Sequence, residues 1–222
     1  MRTLSALVFV FTVSSALVTS AHAADLPPAL PAAVLELHGT LDGQRFWARL
    51  KAPDPQFKGN RVLELVYTPP LPEQLAGAHL SDTPFVLVDD YLRVVAWNGR
   101  DTGSAVTPNA PTGYRVTRDL EKGDGADRHV ENEHRTIAGE RGWDLRLAPV
   151  LLALAWKADS TAEVRAVDLF GPRHAEALTV GWAGTTVTSA GQSWTVVPTA
   201  DGRVQAVNGA DGKAILTVAG RL

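Results

Sequence analysis

The residues best suited to chemistry lie in one polar stretch, residues 121–142, with the sequence EKGDGADRHVENEHRTIAGERG. His129, Glu131 and Glu133 alternate there, and alternate side chains of a β-strand project to one side. Imidazole nitrogen and carboxylate oxygen bind zinc and calcium, so this row, with His134 on the opposite side, is a candidate metal site. The spacing matches neither HExxH nor an EF-hand loop. The competing interpretation, which we favour, is a charged edge hairpin whose charges discourage pairing with another molecule.

Trp47 is a second candidate. By alternation it shares a strand face with Arg45 and Arg49, opposite the face of Phe46 and Leu50. An arginine beside an indole permits cation–π stacking, and such a group could mark the mouth of a cavity or a sugar-stacking surface. Trp47, Arg45 and Arg49 are therefore candidate ligand-binding residues. The alternative is an ordinary tryptophan that a loop covers.

Motifs for nucleophilic catalysis are missing from the sequence. It contains no G-x-S-x-G, no S-x-x-K and no P-loop, and it has no cysteine. The absence of cysteine excludes a disulfide framework and a thiol nucleophile. A triad assembled from distant parts of the chain stays open, because geometry and not order defines a triad. We expect no catalytic residue and no cofactor, and we lean towards a protein that is not an enzyme.

Composition narrows the class of protein. The chain has 222 residues, 45% of them hydrophobic and 20% charged, which is typical of a globular protein. Its formal net charge is −3, so nothing indicates a basic face for nucleic acid.

The amino terminus predicts export. Arg2 precedes an apolar run over residues 4–18, and Ala21-His22-Ala23 is a small-x-small cleavage site. We interpret residues 1–23 as a signal peptide and residues 24–33 as a Pro-rich leader. The expected location is the periplasm or the exterior of a bacterial cell, with no transmembrane segment after cleavage.

The remaining chain, residues 34–222, predicts a single β-rich domain with alternating strands. After residue 161 the strands are separated by turn pairs such as Ala183-Gly184, Ala190-Gly191, Asp201-Gly202 and Asp211-Gly212. Residues 69–84 and 100–113 are expected to be loops, the first a candidate lid. Residues 147–156 (LAPVLLALAW) predict one short buried helix, although a core strand has the same apolar pattern.

The carboxyl-terminal half resembles a known family. Residues 187–198 (VTSAGQSWTVVP) lead into Asp201-Gly202-Arg203-Val204 and a last strand at residues 215–218, after a central segment from Asp144 to Trp156. This pattern is similar to that of the periplasmic DUF3108-like family. The resemblance implies a mainly β fold, a curved antiparallel sheet or incomplete barrel with β-meander order and a helix against its concave side. It implies an architecture like that of periplasmic lipoprotein-carrier proteins, and it implies no catalytic residues.

The function expected from these observations is non-enzymatic. A curved sheet with an apolar inner face needs something to fill its concavity. The expected protein is an exported envelope protein that binds a lipid-like apolar ligand, or a partner polypeptide such as another envelope protein. One alternative is a metal-dependent module or hydrolase that uses His129, Glu131 and Glu133, and another is a carbohydrate-binding module that uses Trp47. The oligomeric state stays open.

Overall fold

A computed structural model describes residues 26–27, 29–67, 85–99, 104–108, 113–123, 125–127, 129–169 and 178–221. The predicted signal peptide at residues 1–23 and the predicted connection at residues 69–84 lie outside the described residues.

The described chain is mainly β-structure, as predicted. Its strands, in chain order, are β1 Leu35–Leu41, β2 Gln44–Leu50, β3 Arg61–Tyr67, β4 Phe85–Val88, β5 Val94–Gly99, β6 Ser104–Pro108, β7 Gly113–Lys122, β8 His129–Ala138, β9 Trp143–Asp144, β10 Thr161–Val167, β11 Leu178–Ala183, β12 Thr186–Ser189, β13 Gln192–Pro198, β14 Val204–Asn208 and β15 Ala214–Arg221. There is one α-helix in these residues, α1 at Ala148–Ala155, and short 3₁₀ turns lie at Pro55–Phe57, Gly125–Asp127 and Leu145–Leu147.

All 15 described strands belong to one curved, nearly closed sheet. Along it, β8 to β1 follow one another in descending order, β15 lies beside β1, and the strands then descend from β15 to β9. Neighbours are antiparallel except for β9 and β10, which are parallel. The two ends of the sheet, β8 and β9, are consecutive in the chain, so residues 139–142 connect them directly.

The turn between β1 and β2 shows why the strands break where the sequence indicates. Asp42 and Gly43 have φ angles of 48° and 76°, a conformation that Asp and especially Gly tolerate. The tight turn sets the register of the hairpin, in which Leu41 lies opposite Gln44.

Helix α1 lies inside the curve of the sheet. Pro149 is in its first turn, where a missing N–H costs nothing. All eight residues are buried, and no apolar side chain of the helix is more than 8% exposed. The helix packs against β9, β14 and β15 within a hydrophobic core that also contains the inward side chains of the other half of the sheet. Residues 147–156 are therefore a buried helix and not a core strand. Within the described residues, no helix is long and apolar enough to cross a membrane.

Three tryptophans stabilise this interior through ring stacking and indole hydrogen bonds. Trp143 and Trp182 stack with ring centroids 5.9 Å apart. The Trp143 indole N–H donates to the Tyr91 carbonyl at 2.9 Å, and that of Trp156 donates to the Gly184 carbonyl at 2.9 Å. Since buried indoles need a hydrogen-bond acceptor, these bonds fix how the chain packs around the helix.

Two side chains hold the seam where the ends of the sheet meet. The buried Tyr114 hydroxyl donates to the Val94 carbonyl and accepts from the Gly142 N–H, both at 2.9 Å. Arg165 of β10 donates to the carbonyls of Ala138 and Glu140. A Cβ on Gly142 would overlap the Arg165 carbonyl, so the two segments touch backbone to backbone. The seam is thus closed by a few specific bonds in place of a strand ladder.

Candidate functional site

The predicted Trp47 site lies on the convex face of the sheet, at the centre of β2. Trp47 lies opposite His38 of β1 and Val66 of β3. The Arg49 guanidinium carbon lies 4.7 Å from the centroid of the Trp47 ring. Trp47 is only 4% exposed, so its ring has little surface left on which a sugar could stack. Arg45 is exposed and lies opposite Thr40, towards the turn of the hairpin.

A row of charges crosses the same face. Arg49 forms an ion pair with Glu36 and lies opposite Glu64. Glu64 is 5% exposed, and its Oε1 lies 2.5 Å from the Lys51 Nζ. The row contains two acids and two bases, so its charge is balanced within the sheet. Such a network fixes strand register and orients Arg49 over Trp47, which is a structural role.

A residue that sequence reasoning did not single out is Arg61, at the start of β3. It is fully buried, and it donates to the carbonyls of Lys51, Pro31 and Ala33 at 2.8, 2.9 and 2.7 Å. Burial lowers the pKa of Arg61, and the nearby charge of Asp90 acts in the opposite direction. The guanidinium of Arg61 therefore holds the Pro-rich leader against the sheet, together with the Leu30 N–H, which donates to the Asp90 carbonyl at 3.4 Å. The only sequence indication was an arginine directly before the apolar run VLELV.

The predicted metal row lies on β8, an end strand of the sheet, as the edge interpretation expected. His129 Nε2 lies 3.5 Å from Glu131 Oε1, and Glu133 Oε1 lies 2.5 Å from Arg135 Nε. His134 lies on the opposite face, with its Nδ1 3.3 Å from the Thr117 hydroxyl. Alternate residues of a strand are roughly 6.8 Å apart, which separates potential ligands unless another element converges on them. In the described residues, no group of three or more His, Cys, Asp or Glu side chains is placed to hold a metal ion. The structure does not bring His129, Glu131 and Glu133 together as a metal site.

The backbone of β8 has a defined outer edge. The Ala138 carbonyl accepts from Arg165 of β10, so the backbone of Ala138 faces away from β7. The N–H and C=O of one strand residue point to the same side, and the side alternates along the strand. Pro108 of β6 lies opposite Tyr114 and has no N–H to donate to it. The backbone groups of Tyr114 are therefore expected to face β8, where they can bond to Ile137. The outward amides of β8 are therefore those of residues 130, 132, 134 and 136.

The hairpin of β7 and β8 extends beyond the core. Tyr114 and Val116 of β7 and Ile137 of β8 are buried, whereas His129, Val130 and His134 are exposed. In the described chain, β6 pairs with β7 only as far as Thr117. Residues 118–122 and 129–133 thus form a two-stranded segment, here called the ribbon, which is roughly 17 Å long at the usual rise per residue.

Within the described residues, the ribbon has neither a third strand nor a covering helix. Two strands without a third strand or a covering helix are marginal in water. Val130, near the tip, is 61% exposed. Glu133 Oε2 is buried and accepts no hydrogen bond. An added strand would supply backbone partners for the outer edge.

Comparisons of the chain with protein-family models, with curated proteins and with solved structures give no match. The curved sheet and inner helix agree with the fold that the DUF3108-like resemblance implies. Membership of that family stays a prediction, and the candidate site rests on the geometry described above.

Proposed function

We propose that this chain is an exported, non-enzymatic envelope protein that binds a partner polypeptide on the outside of its curved sheet. Export is supported by the predicted signal peptide at residues 1–23. A polypeptide partner is favoured over a lipid-like ligand by the way the interior is filled. The resemblance to the DUF3108-like family supports the periplasm as the location.

The observation that carries this proposal is the burial of helix α1. Its residues fill the concave side that a carrier would keep open for its ligand. A lipid-like ligand would have to displace the helix, and exposing Val150, Leu151 and Leu152 would cost about 1.5–3 kcal/mol for each side chain. The exposed side chains at the end strand β8 of the described sheet need no such displacement to receive a partner.

Native mass spectrometry of the exported protein tests the proposal. The full chain is expressed with its leader, recovered from the cell envelope without detergent and weighed. We expect a mass without residues 1–23, either alone or increased by the mass of a polypeptide. A stoichiometric adduct of lipid mass would contradict the proposal, and so would a full-length chain retained in the cytoplasm.

The variant Leu151→Ala gives a matched control for the interior. Leu151 is fully buried in α1, and its truncation leaves an apolar cavity of the kind that binds small apolar molecules. A small apolar probe such as benzene or xenon should bind to Leu151→Ala and not to the native protein. Equal binding to both proteins would show that the native interior already has room for a ligand, and would favour a carrier.

A further inference from the structure

We infer that the leader is a strap, which Arg61 holds against the ends of β2, β3 and β4, and that it opens and closes as a unit while the rest of the fold stays intact. The strap is the described part of the leader, residues 26–27 and 29–33. This inference goes beyond the proposed function, because it concerns a movement built into the chain and does not depend on which partner the protein binds.

The strap lies outside the hydrogen-bond ladder of the sheet. Strand β1 begins at Leu35, and the strap residues before it pair with no strand of the described sheet. Pro27 and Pro31 lie within the strap, and proline has no N–H to donate to a ladder. The carbonyls of Pro31 and Ala33 are bonded instead by a side chain, that of Arg61.

Arg61 bridges the sheet and the strap. Its Nε donates to the carbonyl of Lys51, directly after β2, while Nη1 and Nη2 donate to the carbonyls of Pro31 and Ala33. A guanidinium carries its donors in a rigid planar fork, whereas a lysine ammonium is a compact point charge. Three bonds to three separate carbonyls therefore favour an arginine at this position.

Among the described residues, the strap has few other attachments. Leu30 is half-buried against the core, and its N–H donates to the Asp90 carbonyl at 3.4 Å. Pro27 is buried, whereas Ala29 and residues 31–33 are exposed. Segments with few buried apolar contacts and an exposed backbone open at a lower free energy than the core does. The strap has both properties, whereas β2 beside it is paired with β1 and with β3.

The burial of the Arg61 charge limits the stability of the closed strap. Arg61 is fully buried in the folded chain, so closing the strap completes the removal of its guanidinium from water. Desolvation of a cation opposes this step, and the hydrogen bonds to carbonyls offset it. Opening the strap removes two of the three acceptors and lets water replace them. Closure is thus a balance of opposed contributions that meet at Arg61.

Thiol labelling tests the inference on the intact exported protein. The sequence has no cysteine, so one substitution gives one reactive thiol. Pro27→Cys places the thiol in the buried part of the strap, Ala32→Cys in its exposed part, and Val207→Cys at a fully buried position of β14. Each variant reacts with a small aromatic disulfide reagent, and the labelling rate is measured at several urea concentrations below the unfolding transition.

We expect three separate rates. Ala32→Cys should react fastest, Pro27→Cys at least about tenfold more slowly, and Val207→Cys at least about tenfold more slowly again. The rate for Pro27→Cys should depend little on urea, because opening the strap exposes little surface. The rate for Val207→Cys should rise steeply with urea, because its labelling requires global unfolding.

Arg61→Lys tests whether Arg61 holds the strap. It keeps the charge but not the fork, so it should speed the labelling of Pro27→Cys at least about fivefold more than that of Val207→Cys. Arg203→Lys, at an exposed ion pair with Asp201, is the matched control and should leave both rates within about a factor of two. An Arg61→Lys chain that does not fold would overturn the inference, since releasing the strap should leave the sheet intact.

Amide exchange makes a second measurement on the native protein, without any substitution. The Leu30 N–H should exchange with little dependence on urea, because it is released with the strap. The Trp156 N–H, which donates to the Leu152 carbonyl at the end of α1, should show a steep dependence.

Three further outcomes would overturn the inference. If Pro27→Cys reacts as fast as Ala32→Cys, the strap is not held against the sheet. If Pro27→Cys and Val207→Cys share one rate and one urea dependence, the strap opens only when the whole chain unfolds. If Arg61→Lys and Arg203→Lys change the rate for Pro27→Cys equally, Arg61 does not hold the strap.

Discussion

Strands β11 to β15 and strand β8 carry different kinds of side chain at their exposed positions. Arg221, at the end of β15, is the one charged residue in those five described strands. Their exposed positions carry small or uncharged side chains such as Thr179, Thr186, Thr188, Ser193 and Thr195. Residues 129–136 of β8 instead include two acids, one arginine and two histidines. Both sets of strands present exposed side chains on the same sheet.

The difference follows from backbone pairing. Strands β11 to β15 each have a neighbour on both sides, so their N–H and C=O groups are already occupied. Among the described strands, β8 has a neighbour on one side only, and an open sheet edge can pair with another chain. The charges of β8 lie at such an edge of the described sheet, although charge also occurs on the paired strands β1 to β3, where Glu36, Arg49 and Glu64 belong to a row of ion pairs. Charge on a β-surface therefore does not by itself identify an open edge.

The largest effect on stability is expected from a cavity in the hydrophobic core that the inner helix and the sheet share. Leu151→Ala should lower the free energy of unfolding by about 2–5 kcal/mol, because it removes a fully buried side chain and leaves a cavity. Thr188→Ala, on the exposed face of β12, should change it by less than about 0.5 kcal/mol. Urea unfolding of both variants checks this, and equal losses would mean that the helix is not a packed part of the core.

Tyr114→Phe tests the seam at the base of the ribbon. The substitution leaves the Val94 carbonyl and the Gly142 N–H without their buried partner, so it should cost about 1–3 kcal/mol. Tyr91→Phe is the control, because the Tyr91 ring is half-buried. The Trp143 indole bonds to the backbone carbonyl of Tyr91, which the substitution keeps. If Tyr114→Phe lowers the free energy of unfolding no more than Tyr91→Phe does, the Tyr114 hydroxyl does not stabilise the seam.

The same hydroxyl gives a dependence on pH. Burial raises the pKa of Tyr114 from 10.0 to about 12, so the neutral phenol is favoured in the folded protein. The stabilisation from Tyr114 is complete below pH 10 and is lost as the pH rises from 10 to about 12. In this interval, unfolding free energy should fall more steeply for the native protein than for Tyr114→Phe. Parallel curves would contradict the assignment.

Arg165→Ala should have a smaller effect, and a local one. It removes two hydrogen bonds from a guanidinium to the exposed carbonyls of Ala138 and Glu140, at a cost of about 1–2 kcal/mol. Hydrogen exchange should rise over residues 138–142 more than in α1. Arg203→Ala, which breaks only an exposed ion pair with Asp201, is the control and should cost less than about 0.5 kcal/mol. A uniform rise across the whole sheet would show that Arg165 does not act at the seam alone.

The smallest effect on stability is expected in the ribbon. Glu133→Gln should change the free energy of unfolding by less than about 1 kcal/mol, because it weakens one partly exposed ion pair with Arg135. Thermal unfolding measures this change. A loss as large as that of Leu151→Ala would mean that Glu133 is a packed part of the fold and not only one member of a partly exposed ion pair.

Sequence patterns predicted the regular parts of this fold. The alternation after residue 161 gave the strands of the carboxyl-terminal half, and the apolar segment at residues 147–156 gave the inner helix, because strand and helix periods are local properties. The interpretation of residues 121–142 as an edge hairpin also agrees with the structure, since charge on both faces of a strand is a local feature. The helix, Ala148–Ala155, begins and ends within one residue of the predicted segment 147–156.

What the sequence could not predict depends on contacts between distant segments. Residues 100–113 were expected to be a loop, yet Ser104–Pro108 forms strand β6, whose pairing with β7 supplies stability that its own residues do not indicate. Trp47 was a candidate surface residue, but it is 4% exposed, and the Arg49 guanidinium lies over its ring. The leader contacts of Arg61 and the bonds of Tyr114 at the seam likewise depend on the folded chain.

Residue-by-residue hydrogen exchange of the free protein tests the central claim most directly. The claim is that the interior is closed by its own helix while one edge of the sheet stays open. We predict slow exchange for the hydrogen-bonded amides of α1 and for the inward amides of Glu133 and Arg135, and fast exchange for the outward amides of Val130, His134 and Thr136. Helix amides that exchange as fast as those of Val130 and His134 would contradict the account, and so would a β8 strand whose inward and outward amides exchange alike.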